Sequence, residues 1–185
     1  MTSSADLFKI KSQNGSILWS RNTADSLYAN ATDFFKSSGI VVSKDNIFFS
    51  SGVNTFSIDL KNGETNWKQK ITSSSTPIIS GENIFLVTDN GYLAILDKNT
   101  GKIISSTNIL KILKSKKQDT KVKSFIMGSG KIYSMTLNGF LIVSSATNGK
   151  SEYFKKIGET NISPLIISNG KLYMYTDESK ILILN

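Results

Sequence analysis

Short apolar segments separated by turn residues make up most of the chain. Several are apolar on consecutive positions, among them IFFS, IFLV and ILIL. A strand with apolar side chains on both faces must be covered on both faces, whereas a strand with one face in water would alternate. The pattern therefore predicts short β-strands in sheets that pack face to face, joined by tight Asn-Gly and Gly-Lys turns.

A glycine recurs along the chain, and in three of four cases an aromatic residue follows it four positions later. The glycines are spaced by 48, 38 and 48 residues, and the pairs are Gly15 and Trp19, Gly63 and Trp67, Gly101 and Ser105, and Gly149 and Tyr153. The segments NTFSIDLKNG and YLAILDKNTG align without a gap and place Asp59 over Asp97. Self-similarity of this kind indicates one repeated structural unit.

Each unit contains four predicted strands, A to D, and four short strands per repeat indicate a β-propeller blade. We therefore expect an all-β propeller of four-stranded antiparallel blades. The predicted blades are 39–71, 76–107 and 122–157, preceded by the C and D strands of another blade at 7–21 and followed by an incomplete last blade at 162–185. Joining the two ends would put five strands into four places. The expected architecture is an incomplete arc, the C-terminal half of an eight-bladed ring.

The glycine turn links strands C and D, and its predicted role is structural. Glycine allows the positive φ that such a turn needs, and Asp59 and Asp97 can accept hydrogen bonds from turn amides. Trp67, on the outer strand D, is expected to lie against the neighbouring blade. Ser105 interrupts the pattern, so the turn alone is expected to hold that corner of its blade.

Composition removes several kinds of catalytic site. The chain has no Cys and no His, which excludes disulfides, thiolate nucleophiles, imidazole bases and most zinc sites. The 22 Lys and Arg against 14 Asp and Glu give a formal charge of +8, spread over many positions. We expect no catalytic residue, no cofactor and no bound metal.

A family resemblance is carried by the repeats themselves. The segments SIDLKNGETNWK and AILDKNTGKI resemble the docking repeats of quinoprotein-type (PQQ-like) propellers, and the stretches TDNGYLAILDKNTGKI and NGKLYMYTDESKILILN resemble the BamB family of outer-membrane protein assembly factors. The resemblance implies a non-enzymatic scaffold at the periplasmic face of the bacterial outer membrane, with a signal peptide and a lipid anchor in a missing N-terminal part. Its implied partner is the central barrel protein of the outer-membrane assembly machinery, through that protein's periplasmic domains.

Two other functions use the same repeat. One is a fragment of a quinone-dependent dehydrogenase, and the other is a PQQ-like binding module of different specificity. A nucleic-acid role is disfavoured, because no aromatic residue is interleaved with the lysines of segment 107–123 before Phe125.

Two long D-to-A connections, about 22–38 and 107–122, are the predicted docking loops. Strand order places both on one face of the propeller. The candidate residues are Leu27, Tyr28, Asp33, Phe34, Phe35 and Lys36 in the first loop, and Ile109, Leu110, Ile112, Leu113, Lys114, Lys116 and Lys117 in the second. Asp33 is the acidic residue that the BamB resemblance implies for partner contact.

Each loop also has a simpler structural interpretation. The aromatic residues of the first can fold back as a lid over the blade edge. The second can form a short packed turn followed by a solvated basic segment.

Overall fold

The computed structural model describes residues 5–24, 37–117, 120–158, 164–176 and 179–184, and for residues 115–117 it describes the backbone alone. Within these residues, antiparallel strands form five sheets in chain order. The first sheet contains β1 (Asp6–Ile10) and β2 (Ile17–Asn22). The second contains β3 (Val41–Ser43), β4 (Asn46–Ser51), β5 (Asn54–Asp59) and β6 (Thr65–Gln69).

The three remaining sheets follow the same meander. The third contains β7 (Ile78–Ser80), β8 (Asn83–Val87), β9 (Tyr92–Asp97) and β10 (Ile103–Asn108), and the fourth contains β11 (Val122–Gly128), β12 (Lys131–Thr136), β13 (Phe140–Ser145) and β14 (Ser151–Lys156). The fifth has three strands among the described residues, β15 (Ile166–Ser168), β16 (Lys171–Tyr175) and β17 (Ile181–Leu184). Four-stranded antiparallel sheets that do not close into a ring confirm the predicted fold class, an incomplete β-propeller.

Burial follows the apolar pattern of the sequence. The middle strands β4, β5, β8 and β9 are almost entirely buried, whereas the outer strands β6 and β10 are largely exposed. Strands that are apolar on consecutive positions are therefore those covered by a neighbouring sheet on each side, as predicted. Separate apolar clusters fill the spaces between successive sheets, and no single central core is present in the described residues.

Two tryptophans make contacts between successive sheets among the first three. Trp19 of the first sheet lies over Gly63 of the second, and Trp67 of the second lies over Gly101 of the third. A Cβ atom added to Gly63 would lie 2.8 Å from the Trp19 ring, and one added to Gly101 would lie 2.6 Å from the Trp67 ring. Both glycines also have positive φ, +75° and +70°. These positions thus require glycine for backbone conformation and for ring contact at once.

Each indole also donates a hydrogen bond to the turn that it covers. The Nε1 of Trp19 donates to the carbonyl of Leu60 at 3.2 Å, and the Nε1 of Trp67 donates to the carbonyl of Lys98 at 2.9 Å. The ring buries a large apolar area while its polar atom remains satisfied. The prediction that Trp67 packs against the neighbouring blade is confirmed.

The contact between the third and fourth sheets is built differently. Gly149, the equivalent glycine, is approached by Thr107, whose Oγ1 lies 3.2 Å from an added Cβ. A 3-10 segment, Ile109–Lys117, adds apolar side chains to the same cluster and contacts β9, β13 and β14. The expectation that the turn alone holds this corner, because Ser105 replaces the aromatic residue, is therefore wrong. The connection after strand D supplies the missing contact.

We predict that Trp67→Ala lowers the free energy of unfolding by ~3–5 kcal/mol, because truncation leaves a cavity between two sheets. Trp67→Phe keeps a ring over Gly101 but removes the indole N–H, so its loss should be nearer ~1 kcal/mol. Urea unfolding followed by circular dichroism measures both. Equal losses for the two variants would contradict the packing role of the ring.

Candidate docking face

The connections between sheets and the turns between strands B and C leave the sheets on one side, which we call the link face. Its described residues belong to the segments 23–24, 37–40, 51–54, 70–77, 88–91, 109–117, 120–121, 136–139, 157–158, 164–165 and 179–180. The opposite side carries the A–B turns and the glycine-containing C–D turns. Connections that run over a rigid scaffold are where binding residues concentrate.

The candidate residues of the first long loop lie outside the described residues. This applies to Leu27, Tyr28, Asp33, Phe34, Phe35 and Lys36, all of which fall within 25–36. Their predicted contact with a partner, and the alternative of a lid over the blade edge, both stay predictions.

The second long loop is described except for residues 118–119, and its apolar residues are packed. Ile109, Leu110 and Leu113 are buried in the cluster between the third and fourth sheets, and Ile112 packs against that cluster with partial exposure. The segment is fixed at its start, where the Ile109 amide donates to the Gly91 carbonyl and Asn108 Oδ1 accepts from the Leu110 amide. The structure gives these side chains a packing role, the simpler of the two interpretations. We therefore leave them out of the docking surface proposed below.

Lysines surround this packed segment. Lys111, Lys114, Lys121 and Lys123 are exposed. The backbone of Lys116 and Lys117 lies in the 3-10 segment, and their side chains are outside the description. A group of exposed lysines raises the local positive potential and favours encounter with acidic surfaces.

A polar cavity of about 230 Å³ opens where the second, third and fourth sheets meet on the link face. Sequence reasoning did not find it. It is lined by Gly52, Thr72, Ser73, Ser74, Thr88, Asp89, Asn90 and Lys121. Asp89 accepts hydrogen bonds from the amide and hydroxyl of Ser74, which ties the turn of one sheet to the connection from its neighbour. The only signal in the sequence is that the polar segment ITSSST and the turn TDNG each precede a predicted strand.

The two aspartates that align in the repeat are turn residues, as predicted. Asp59 Oδ1 accepts from the amides of Lys61 and Asn62, and Asp97 Oδ1 accepts from Thr100 Oγ1 and from the amides of Asn99 and Thr100. The hydrogen bond from the Thr100 hydroxyl, followed by that from its amide, holds the pKa of Asp97 below its ordinary value. Within the described residues, no three Asp or Glu side chains come together in a group able to hold a metal. No described helix is long and apolar enough to cross a membrane.

Comparison with known families gives the deciding observation. Residues 1–107 match the family model described as outer membrane protein assembly factor BamB. The chain belongs to the BamB family. The matched segment contains the first three sheets and both tryptophan contacts. No curated protein sequence matches the chain significantly.

Solved structures extend the likeness over the whole chain. BamB from Moraxella catarrhalis is similar, with a TM-score of 0.73 and 16% sequence identity. The similar region covers 100% of this chain and 56% of the Moraxella catarrhalis chain. The β-propeller domain of Swd1 from Myceliophteria thermophila is also similar, with a TM-score of 0.71 and 10% sequence identity. The similar region covers 98% of this chain and 58% of the Swd1 chain. The chain therefore spans little more than half the length of these relatives.

A quinohemoprotein alcohol dehydrogenase from Comamonas testosteroni is similar over less of the chain. Its TM-score is 0.56 and its sequence identity is 15%. The similar region covers 65% of this chain and 21% of the dehydrogenase chain. At this identity the likeness shows the propeller fold alone. The resemblance to PQQ-like propellers and to BamB is confirmed.

We predict that Leu113→Ala lowers the free energy of unfolding by ~2–5 kcal/mol, because the side chain is buried between two sheets. Lys111→Ala, in the same segment but exposed, is the matched control and should change it by no more than ~0.5 kcal/mol. Chemical denaturation of both variants provides the measurement. A neutral Leu113→Ala would return this residue to the candidate docking surface.

We also predict that Asp97 contributes stability that depends on pH. Its folded pKa is lowered, so the contribution is fully present above the unfolded pKa of about 4 and is lost as pH falls through the lower folded value. The difference in melting temperature between the unchanged chain and Asp97→Asn should be constant near neutral pH and shrink in acid. A difference that stays constant into strong acid would contradict the role of the carboxylate.

Proposed function

We propose that this chain is part of a non-enzymatic scaffold that assists the assembly of outer-membrane β-barrel proteins. In this proposal it acts at the periplasmic face of the outer membrane and docks on the periplasmic domains of the central barrel protein of the assembly machinery.

The observation that carries the proposal is the family match over residues 1–107. That family is described as an outer-membrane protein assembly factor, and we extend this role to the present chain as a proposal. The chemistry of the described residues supports a binding function. Asp59 and Asp97 are engaged in turns, and the polar cavity contains hydroxyls, one amide, one carboxylate and one ammonium group. These groups can donate hydrogen bonds to a polypeptide and accept hydrogen bonds from it.

The link face has the features of a docking surface. It combines the exposed Lys111, Lys114 and Lys121 with a polar cavity. The order of the elements along the chain also predicts that Phe34 and Phe35 belong to this face. Buried aromatic anchors provide most of the energy of a protein interface, whereas charges at its rim mainly accelerate association. The partner surface that fits this arrangement is acidic and has an apolar recess.

We predict that the double variant Phe34→Asp, Phe35→Asp weakens capture of the barrel protein's periplasmic domains at least tenfold, about 1.4 kcal/mol, because it places charge where apolar contact is needed. Affinity is measured by surface-immobilised binding on a full-length protein that contains this segment. The unfolding midpoint should change little.

The matched control is Ile103→Asp, Ile104→Asp, which introduces the same charges at two exposed apolar residues of β10, away from the link face. This variant should bind normally. Replacing Lys111, Lys114 and Lys121 by Ala should reduce the association rate at low salt and have little effect at high salt. Normal capture by the Phe34/Phe35 variant, with the protein folded, would remove these two residues from the proposed interface.

A further inference from the structure

The B–C turns of the third and fourth sheets share one backbone arrangement and differ at one position. Their sequences are TDNG (88–91) and TLNG (136–139), so Leu137 stands where Asp89 stands in the preceding repeat. In each turn the glycine amide donates to the threonine carbonyl, at 2.8 Å in the third sheet and 3.1 Å in the fourth. The threonine Oγ1 accepts from the amide that follows the glycine, at 3.0 Å and 2.9 Å. The turn therefore forms with either side chain at this position.

The two side chains have different surroundings. Asp89 accepts hydrogen bonds from the amide and hydroxyl of Ser74, which ties its turn to the connection from the second sheet. Leu137 cannot accept such bonds, and its side chain remains 43% exposed on the link face. Because the equivalent turn forms with an aspartate, turn formation does not explain a leucine here.

Lysines lie next to Leu137. The Leu137 amide donates to the carbonyl of the exposed Lys121 at 2.9 Å. Lys156 Nζ donates to the carbonyl of Asn138, the next residue of the turn, and lies 4.8 Å from the centre of the Phe140 ring. These contacts hold the Lys156 ammonium group beside the turn that carries the leucine.

The charges of the fourth sheet are divided between its two ends. Residues 120–158, all of which the structure describes, contain one acidic residue, Glu152, and it pairs with Lys131 at the end opposite to the link face. Four lysines lie at the link-face end, at the start of β11 and the end of β14, namely Lys121, Lys123, Lys155 and Lys156. Leu137 is therefore set in positive charge that no carboxylate of the same sheet balances.

The polar cavity lies beside this leucine. Lys121 lines the cavity, and its carbonyl accepts the Leu137 amide. The next residue, Val122, donates its amide to the Asp89 carbonyl at 3.0 Å, so the segment 120–122 joins the two turns. The cavity, the exposed leucine and the lysines thus form one continuous part of the link face.

We propose that Leu137 is an apolar contact point of the docking surface, and that it enters an apolar recess bordered by Asp or Glu side chains on a protein partner. This inference rests on the proposed function and adds a residue and a partner chemistry to it. Burial of the leucine supplies the apolar contact, since removing apolar surface from water is the main favourable contribution to most protein association. Lys121 and Lys156 lie around it and match the acidic border of the recess. An anionic membrane fits less well, because one leucine offers little apolar area for insertion.

Binding of the chain to the barrel protein's periplasmic domains, measured by isothermal titration calorimetry, tests the inference. Leu137→Asp gives this turn the residue that the third sheet has there, so the variant should fold normally. It should raise the dissociation constant about tenfold or more, because a carboxylate replaces the apolar contact and meets the acidic border. Leu137→Met keeps an apolar side chain of similar volume and should bind within a factor of about 2 of the unchanged chain.

Ile104→Asp is the matched control, because it introduces the same charge at an exposed apolar residue of β10, away from the link face. It should bind like the unchanged chain, and circular dichroism should show every variant folded. Binding of Leu137→Asp as tight as that of the unchanged chain would overturn this inference and leave the proposed function in place. Failure of the unchanged chain to bind these domains would overturn the proposed function, and this inference with it.

A second measurement separates a protein partner from a membrane. Vesicles of phosphatidylglycerol and phosphatidylcholine in equal amounts are sedimented with the unchanged chain and with Leu137→Asp. We expect the two chains to sediment with the vesicles to the same extent. Loss of vesicle binding in Leu137→Asp, with capture of the periplasmic domains unchanged, would assign the leucine to a membrane surface and overturn the inference.

Discussion

A tryptophan ring lying on a glycine turn is the contact on which the rest of this structure depends. Trp19 and Trp67 each leave the outer strand of one sheet and cover a C–D turn of the next. The ring can approach only because the glycine has no side chain, and the turn can form because glycine accepts positive φ. Each contact therefore fixes the position of one sheet relative to its neighbour and covers the edge of the apolar cluster between them.

Where this contact is absent, the chain uses longer connections. The third sheet has Ser105 in place of the tryptophan, and the 3-10 segment after β10 brings Ile109, Leu110 and Leu113 into the space between the third and fourth sheets. Trp67 and the 3-10 segment both place apolar side chains between two neighbouring sheets. Trp67 does so from the outer strand of its sheet, and the 3-10 segment does so from the connection that follows such a strand. From the sequence, the length of this connection suggests a binding loop. The packing of its apolar residues between two sheets explains part of that length.

The sequence predicts the sheets well because strand pairing in a meander is local. Consecutive apolar positions in β4 and β9 require cover on both faces, and the repeated glycine locates the turns that pair them. The burial of Leu113 could not be predicted in the same way, because an apolar stripe beside lysines is typical of both a packed turn and an interface. The polar cavity was also beyond prediction, since it joins residues from Gly52 to Lys121 that belong to three different sheets.

The two partners of each tryptophan contact belong to different blades. Trp67 lies on the outer strand of the second sheet, and the Gly101 that it covers lies in the C–D turn of the third. A blade taken alone would therefore keep a turn and a ring, each without the group that it contacts. The stability of one blade thus depends on its neighbours on both sides, as in other repeat architectures.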